Sequence, residues 1–290
     1  MQKTLNKKIV LLLVFAAAAA ILLTIFRTYL LINCVEPDTG FYMVGTSAGK
    51  YFNIGVGVFS AILLAGAVML AKTKAPSELK SESTMVVFAS SLCGFLFATV
   101  FLYGLYTIIS GSMGDTSSTT LKNMFSAQNA FLWIEILLCI PCMFNFFCIC
   151  SKERRDRNAL QTVLSLSPAV FFAVRTVQTF TNVKSQINVS QRSLTLILLC
   201  AAMLFFVCET RFIIPGYVSE NPKKNDTALS LSKYFVTGVF TFAFTLFTVL
   251  PYLAVSAFWV YEANFLIMDV LDACVGLYAL TRMISVARCN

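Results

Sequence analysis

Eight stretches of this chain stay apolar for about the twenty residues that a helix needs to cross a hydrocarbon core about 30 Å thick. They run over approximately 8–31, 51–71, 85–110, 128–150, 159–180, 192–214, 232–251 and 263–284 of the 290 residues. Hydrocarbon offers no water to backbone N–H and C=O groups, so a segment with this pattern crosses as a helix. The expected fold is all-α: a polytopic transmembrane helical bundle of about eight spans, forming one integral membrane domain over 1–290. Composition agrees, with 58% hydrophobic and 12% charged residues, against roughly half and a quarter in a soluble domain. The fifth stretch is the least apolar, rich in Ser and Thr with Pro168 inside it. The first is preceded by Lys3, Lys7 and Lys8, as a signal peptide would be. It continues through ILLTIF without a polar break, so a retained anchor is expected. The longest connections, 32–50, 111–127 and 215–231, are too short to fold alone.

The net charge of +8 is a topology signal. With the N-terminus inside, the inner segments hold Lys72, Lys74, Lys80, Lys152, Arg154, Arg155, Arg157, Arg211, Lys223, Lys224, Lys233, Arg282 and Arg288 besides the three N-terminal lysines. Such a bias marks cytoplasmic loops, so both termini are expected in the cytoplasm and no nucleic-acid partner is invoked. Tyr29, Tyr42, Tyr51, Trp133, Tyr252, Trp259 and Tyr261 fall near the expected outer interface, where an aromatic belt belongs.

There is no histidine, which removes His-ligated metals, His general bases and every His-containing triad. The ten cysteines lie almost entirely within apolar runs, where a thiol behaves as a small apolar group. The CIPC run from Cys139 to Cys142 has a redox-like spacing, but it sits mid-helix beside Pro141, and packing is its expected role. No cofactor and no metal are expected.

Depth organises the charges inside the spans. Arg27 lies about a turn below the outer end of the first span, Glu135 two turns into the fourth, and Arg175 about a turn into the fifth. Asp269 and Asp272 lie two to three turns into the eighth. All share the outer half of the bilayer at about 1.5 Å per residue. A charge near the bilayer centre costs about 2.5–3.5 kcal/mol on insertion scales, so it faces a partner or water. Glu135 is expected to pair with Arg175, and Arg27 to meet Asp269 or Asp272. Asp269, Asp272, Ala273 and Gly276 share one helical face. That face is also the small-residue face, which marks close helix packing in membranes. Gln178 and Thr179 share the face of Arg175, Tyr103 shares one with Tyr106, and Thr237, Thr241, Thr245 and Thr248 form a hydroxyl stripe.

Other features are weaker. Pro141, Pro168 and Pro251 imply kinks that free backbone carbonyls. In CETRF, Glu209 and Arg211 are two apart and cannot face each other, so each needs another partner or the interface. KERRDRN, Lys152 to Asn158, reads as a topogenic loop, and VEPDTGFY, Val35 to Tyr42, as an exterior turn.

FRTYLLINCVEPDTGFY (Phe26 to Tyr42) and FFVCETRFIIPG (Phe205 to Gly216) resemble a group of uncharacterised multi-pass membrane proteins of anaerobic Gram-positive bacteria. The resemblance implies a bacterial cytoplasmic (plasma) membrane protein and lends no activity. Seven-helix retinal proteins are a poor match, because the last span holds no lysine.

The residues point to a transporter-like bundle with an outward-facing acidic pocket for a small polar or cationic solute. The candidate ligand- or proton-binding residues are Asp269, Asp272, Glu135, Arg175, Arg27, Gln178, Tyr103 and Tyr106. A receptor- or sensor-like protein, or an accessory subunit of a larger membrane complex, would use the same charges as structural ion pairs. An enzyme is not expected, since dyad aspartates face each other from two elements and these share one helix. The lipid bilayer is the expected surrounding, and the protein partner stays open.

Overall fold

A helix buried on one side in lipid and on the other in protein shows both faces in its exposure pattern. The computed structural model describes residues 7–35, 42, 43, 45, 47–70, 83–113, 130–150, 159–181, 189–213, 224–255 and 263–289. Among them the helices are α1 (Lys7–Asn33), α2 (Ala48–Leu70), α3 (Thr84–Met113), α4 (Ala130–Cys150), α5 (Ala159–Thr181), α6 (Val189–Ile213), α7 (Lys224–Thr248), α8 (Leu250–Val255) and α9 (Ala263–Cys289). Eight spans among the described residues are long and apolar enough to cross a membrane, the seventh made of α7 and α8 together. The chain is a multi-pass membrane protein with helices where the eight apolar stretches predict them.

On α4 the buried side chains Glu135, Cys139, Cys142, Phe146 and Ile149 recur every three or four residues, while Ile134, Leu137 and Phe144 are exposed. That is one inward stripe and one lipid-facing stripe. α7 differs: from Thr241 to Thr245 every residue is buried, as befits a helix surrounded by others. Its neighbours are α6, α9, α1 and α2. α3, α4, α5, α6, α7 and α9 form a closed circuit in which each packs on the next, and α9 returns to α3. α1 and α2 lie against α7 outside that circuit.

The interior of the circuit is filled with rings. Phe97, Phe146, Phe171, Phe172, Phe206 and Tyr278 are all essentially fully buried. Phe97 meets Phe171 edge-on with centroids 5.0 Å apart, Phe146 meets Tyr278 at 5.2 Å, and Phe172 stacks on Phe206 at 5.7 Å. These six rings from five helices form an aromatic core across the middle of the bundle.

Successive long helices alternate in direction. Ser90, early in α3, donates to the Phe146 carbonyl, late in α4, at 2.8 Å. We call the end reached by residues 7 and 289 the terminal end, and the other the distal end.

Proline placement is locally compensated. Pro168 has no N–H for the carbonyl of Leu164 four residues back. The Ser167 hydroxyl donates to that carbonyl instead, at 2.7 Å. Between α7 and α8, Val249 still donates to Thr245 O at 2.9 Å and Leu253 to Val249 O at 3.0 Å, so the chain continues in the same direction past Pro251.

Candidate functional site

Four charged groups meet near the distal end. Arg175, on α5, sends Nη1 to Asp272 Oδ1 at 2.5 Å and Nη2 to Asp272 Oδ2 at 3.1 Å. This two-pronged contact is the geometry a planar guanidinium makes best. The Nε of Arg175 lies 3.7 Å from Glu135 Oε1 on α4. With its amide nitrogen turned toward it, Gln178 donates to both Glu135 oxygens at 3.2 Å. Arg175, Glu135 and Asp272 are all buried. The guanidinium carbon also sits 5.8 Å from the rings of Phe171 and Phe172, so the cluster rests directly on the aromatic core.

Asp269 lies one turn further toward the distal end of α9 and is partly buried. It makes no direct hydrogen bond or ion pair among the described residues, but it lies within electrostatic reach of Arg175, Asp272 and Tyr252. Glu135, Asp269 and Asp272 therefore share one ion-paired guanidinium, for a formal balance of −2 when all three are ionised. No group of three or more Cys, Asp or Glu side chains among the described residues is arranged to hold a metal ion. The carboxylates flank Arg175 and do not converge on a point.

Arg27 does not pair with Asp272. It is fully buried on α1, where Nη1 donates to the Tyr42 hydroxyl and Nη2 to Gln191 Oε1 at 3.2 Å. The Phe52 ring stands 5.1 Å from its guanidinium carbon. Among the described residues it has no carboxylate partner, and its Nε has no acceptor. Matched depth did not bring it to Asp272 on α9, because depth does not specify position around the bundle. Tyr42 and Tyr252 correct the belt expectation: both pack inward on Leu31, Val35 and Val255. Tyr29 and Tyr51 do stay exposed. Trp259, Tyr261, the KERRDRN loop and residues 36–41 of VEPDTGFY lie outside the described residues.

Tyr106 faces outward, 64% exposed, with its ring 6.3 Å from that of Tyr103. Neither reaches the cluster by a described hydrogen bond. Two residues three apart on a helix lie 60° apart in phase, enough for the pair to straddle the boundary between interior and lipid. Thr241, Thr245 and Thr248 of the stripe are buried, but Thr237, Thr241 and Thr245 each donate to the carbonyl four residues back, at 2.8–2.9 Å. Its contribution is packing: a Cβ on Gly276 of α9 would lie 2.7 Å from the Thr245 side chain, so only glycine admits this approach.

A second ionic group lies across the aromatic core, toward the terminal end. Arg282 Nε is 2.8 Å from Glu209 Oε1, the Tyr278 hydroxyl donates to that same oxygen at 2.6 Å, and Arg282 Nε also donates to the Tyr278 hydroxyl at 2.9 Å. Both charged residues are buried. The loop assignment of Arg282 is thereby corrected: it faces the bundle, while Arg211 is exposed. The signal was present in the spacing, since Arg282 is four residues after Tyr278 on the face that continues from Asp272 and Val275. Asp272 and Arg282 are ten residues apart on α9, roughly 15 Å along the axis.

No protein-family model, curated protein or solved structure matches this chain.

Proposed function

We propose that this membrane protein is transporter-like and binds a small polar or cationic solute at the distal cluster. The carrying observation is the charge imbalance: Glu135, Asp269 and Asp272 lie within the bundle around the single ion-paired guanidinium of Arg175. Intramembrane carboxylates left without a counter-ion face a solute, a proton or water. The spread of these groups suits a monovalent organic cation or a proton better than a divalent metal. The basic loops favour a cytoplasmic terminal end, which puts the cluster in the outer half of the membrane. The aromatic core then separates it from the cytoplasmic side, as a closed gate would, and Glu209 with Arg282 forms the ionic layer below. The chemistry assigned to these residues is binding, with no catalytic step.

The test is uptake of labelled amines and amino acids into proteoliposomes. The proposal expects uptake that falls at least tenfold in an Asp269→Asn, Asp272→Asn double variant. Uptake unchanged in that variant would contradict it. One observation favours a second reading, that of an accessory or receptor-like subunit. Asp272 is fully engaged by Arg175, as a structural ion pair would be. That reading expects no uptake, and recovery of a specific protein partner with the purified chain.

A further inference from the structure

α9 packs closely on α7 and on α3. Two glycines lock it to α7: a Cβ on Gly276 would lie 2.7 Å from Thr245, and one on Gly238 2.7 Å from Met283. Close approach at two levels makes α7 and α9 one rigid pair. α9 has no comparable packing on α5 or α6 among the described residues. It reaches them through side chains at three levels. Near the distal end Asp272 takes both prongs of Arg175 from α5. Toward the terminal end Arg282 and Tyr278 hold Glu209 of α6. Between these levels the Tyr278 ring lies nearly parallel to that of Phe206, with centroids 6.2 Å apart and 14° between planes. Flat ring faces do not interlock, and packed helices move past one another by small shears. α5 and α6 are tied to each other, since the Thr210 hydroxyl donates to the Ser165 carbonyl at 2.9 Å.

Across the interior, then, α9 is joined to the α5–α6 pair by an ion pair at each end and a ring contact between them. Asp272 and Arg282 are ten residues apart on one continuous helix, with Tyr278 between. A tilt of that helix about the ring contact parts one ion pair and presses the other together. The two ion pairs are not equally easy to part. On leaving Asp272, Arg175 keeps Glu135, which lies 3.7 Å from its Nε on α4. Glu209 has no second cation among the described residues, and its bond from Tyr278 also comes from α9. Parting Glu209 from α9 strands a buried carboxylate on α6, which costs more than leaving Arg175 with a partner.

We infer that these ion pairs are the two gates of the solute path. Arg175–Asp272 opens toward the distal side and Glu209–Arg282 toward the terminal side, one at a time, and the distal gate opens the more readily. Asp269 stands one turn to the distal side of the first gate, where an arriving solute meets it. With both ion pairs formed, the path is closed at both ends. The gates presuppose the transport reading above and supply the moving parts of that site.

The test places one reporter cysteine behind each gate, in the full chain freed of its ten native cysteines. Val275→Cys lies between Asp272 and Tyr278, and Ala279→Cys between Tyr278 and Arg282; both positions are buried on α9. A membrane-impermeant thiol reagent is added to one side of sealed proteoliposomes at a time. With both gates intact, Val275→Cys should react from one side only, Ala279→Cys from the other side only, and Val275→Cys the faster. Asp272→Asn should speed Val275→Cys by about tenfold or more, the scale of one charged contact, and slow Ala279→Cys. Glu209→Gln should do the reverse. The comparison with intact gates decides the matter even where a gate variant fails to fold. Reaction of both reporters from the same side, of neither from either side, or faster reaction of both in one gate variant would overturn the gates. Uptake measured alongside any of those results leaves the transport reading standing without them. The expected pattern with no uptake of any probe would instead remove the transport reading, and with it the gates' place in a solute path.

Discussion

Arg175→Met and Asp272→Asn remove opposite ends of one ion pair, and the structure predicts that they are not equivalent. In Asp272→Asn the guanidinium keeps Glu135, whose Oε1 lies 3.7 Å from Nε, and the asparagine oxygen can still accept one of the two former hydrogen bonds. One cation then faces the two remaining carboxylates. In Arg175→Met all three carboxylates lose their cation, in side-chain surroundings where Glu135 and Asp272 are only 5% and 4% exposed. Breaking a buried pair by removing one partner costs about 3–5 kcal/mol. Arg175→Met belongs at the top of that range, and Asp272→Asn near about 2 kcal/mol, the loss of a charged hydrogen bond. Replacing both, as Arg175→Met with Asp272→Leu, should recover part of the loss, because no buried member of the pair is left behind. The measurement is reversible unfolding of the purified protein in mixed micelles, followed by circular dichroism. If Asp272→Asn costs as much as Arg175→Met, or both fall below about 0.5 kcal/mol, Arg175 is not what holds the acidic cluster, and the charge reasoning fails.

Four other perturbations probe the packing and the second ionic group. Gly276→Ala should destabilise by about 1–3 kcal/mol, since the added Cβ would stand 2.7 Å from the β-branched Thr245; Thr245→Ala should suppress the effect in the same unfolding assay. Ser167→Ala should cost about 1 kcal/mol or more by orphaning the Leu164 carbonyl. It should cost almost nothing in a Pro168→Ala background, where a restored backbone N–H serves that carbonyl, and a double-variant cycle measures the difference. Glu209→Gln should destabilise by about 3–5 kcal/mol, because it strips Arg282 of its carboxylate. Tyr278→Phe should cost only about 1–2 kcal/mol, as Glu209 and Arg282 keep each other; equal losses would show that the tyrosine hydroxyl carries the group.

The spans were legible because lipid makes length and hydropathy nearly sufficient: each apolar stretch had to form its own backbone hydrogen bonds. The pairing of Glu135 with Arg175 was legible too, since consecutive antiparallel helices tend to be neighbours and the two residues share a depth. Depth alone did not separate Arg27 from Arg175 as the partner of Asp272, because it carries no information on position around the bundle. Arg282 was misplaced for a related reason. An arginine in the last turns of a span normally reaches for headgroups, and only the buried Glu209 on α6 turns it inward. The sequence shows a stripe of four hydroxyls on one face, but a threonine hydroxyl inside a helix has a ready acceptor four residues back, and three of the four use it. The aromatic core was hidden among 27 phenylalanines, whose inward or lipid-facing direction composition does not distinguish.

The proposed solute-facing role of Asp269 rests on its lack of a direct hydrogen bond or ion pair among the described residues. It is tested most directly by placing Asp269→Cys in a chain freed of its ten native cysteines and reacting it, in sealed proteoliposomes, with a membrane-impermeant thiol reagent. Modification is expected from one side of the membrane only, slowed by the solute whose uptake depends on Asp269, while Asp272→Cys reacts far more slowly from either side. An unreactive Asp269→Cys, or one whose modification no transported solute slows, would contradict it.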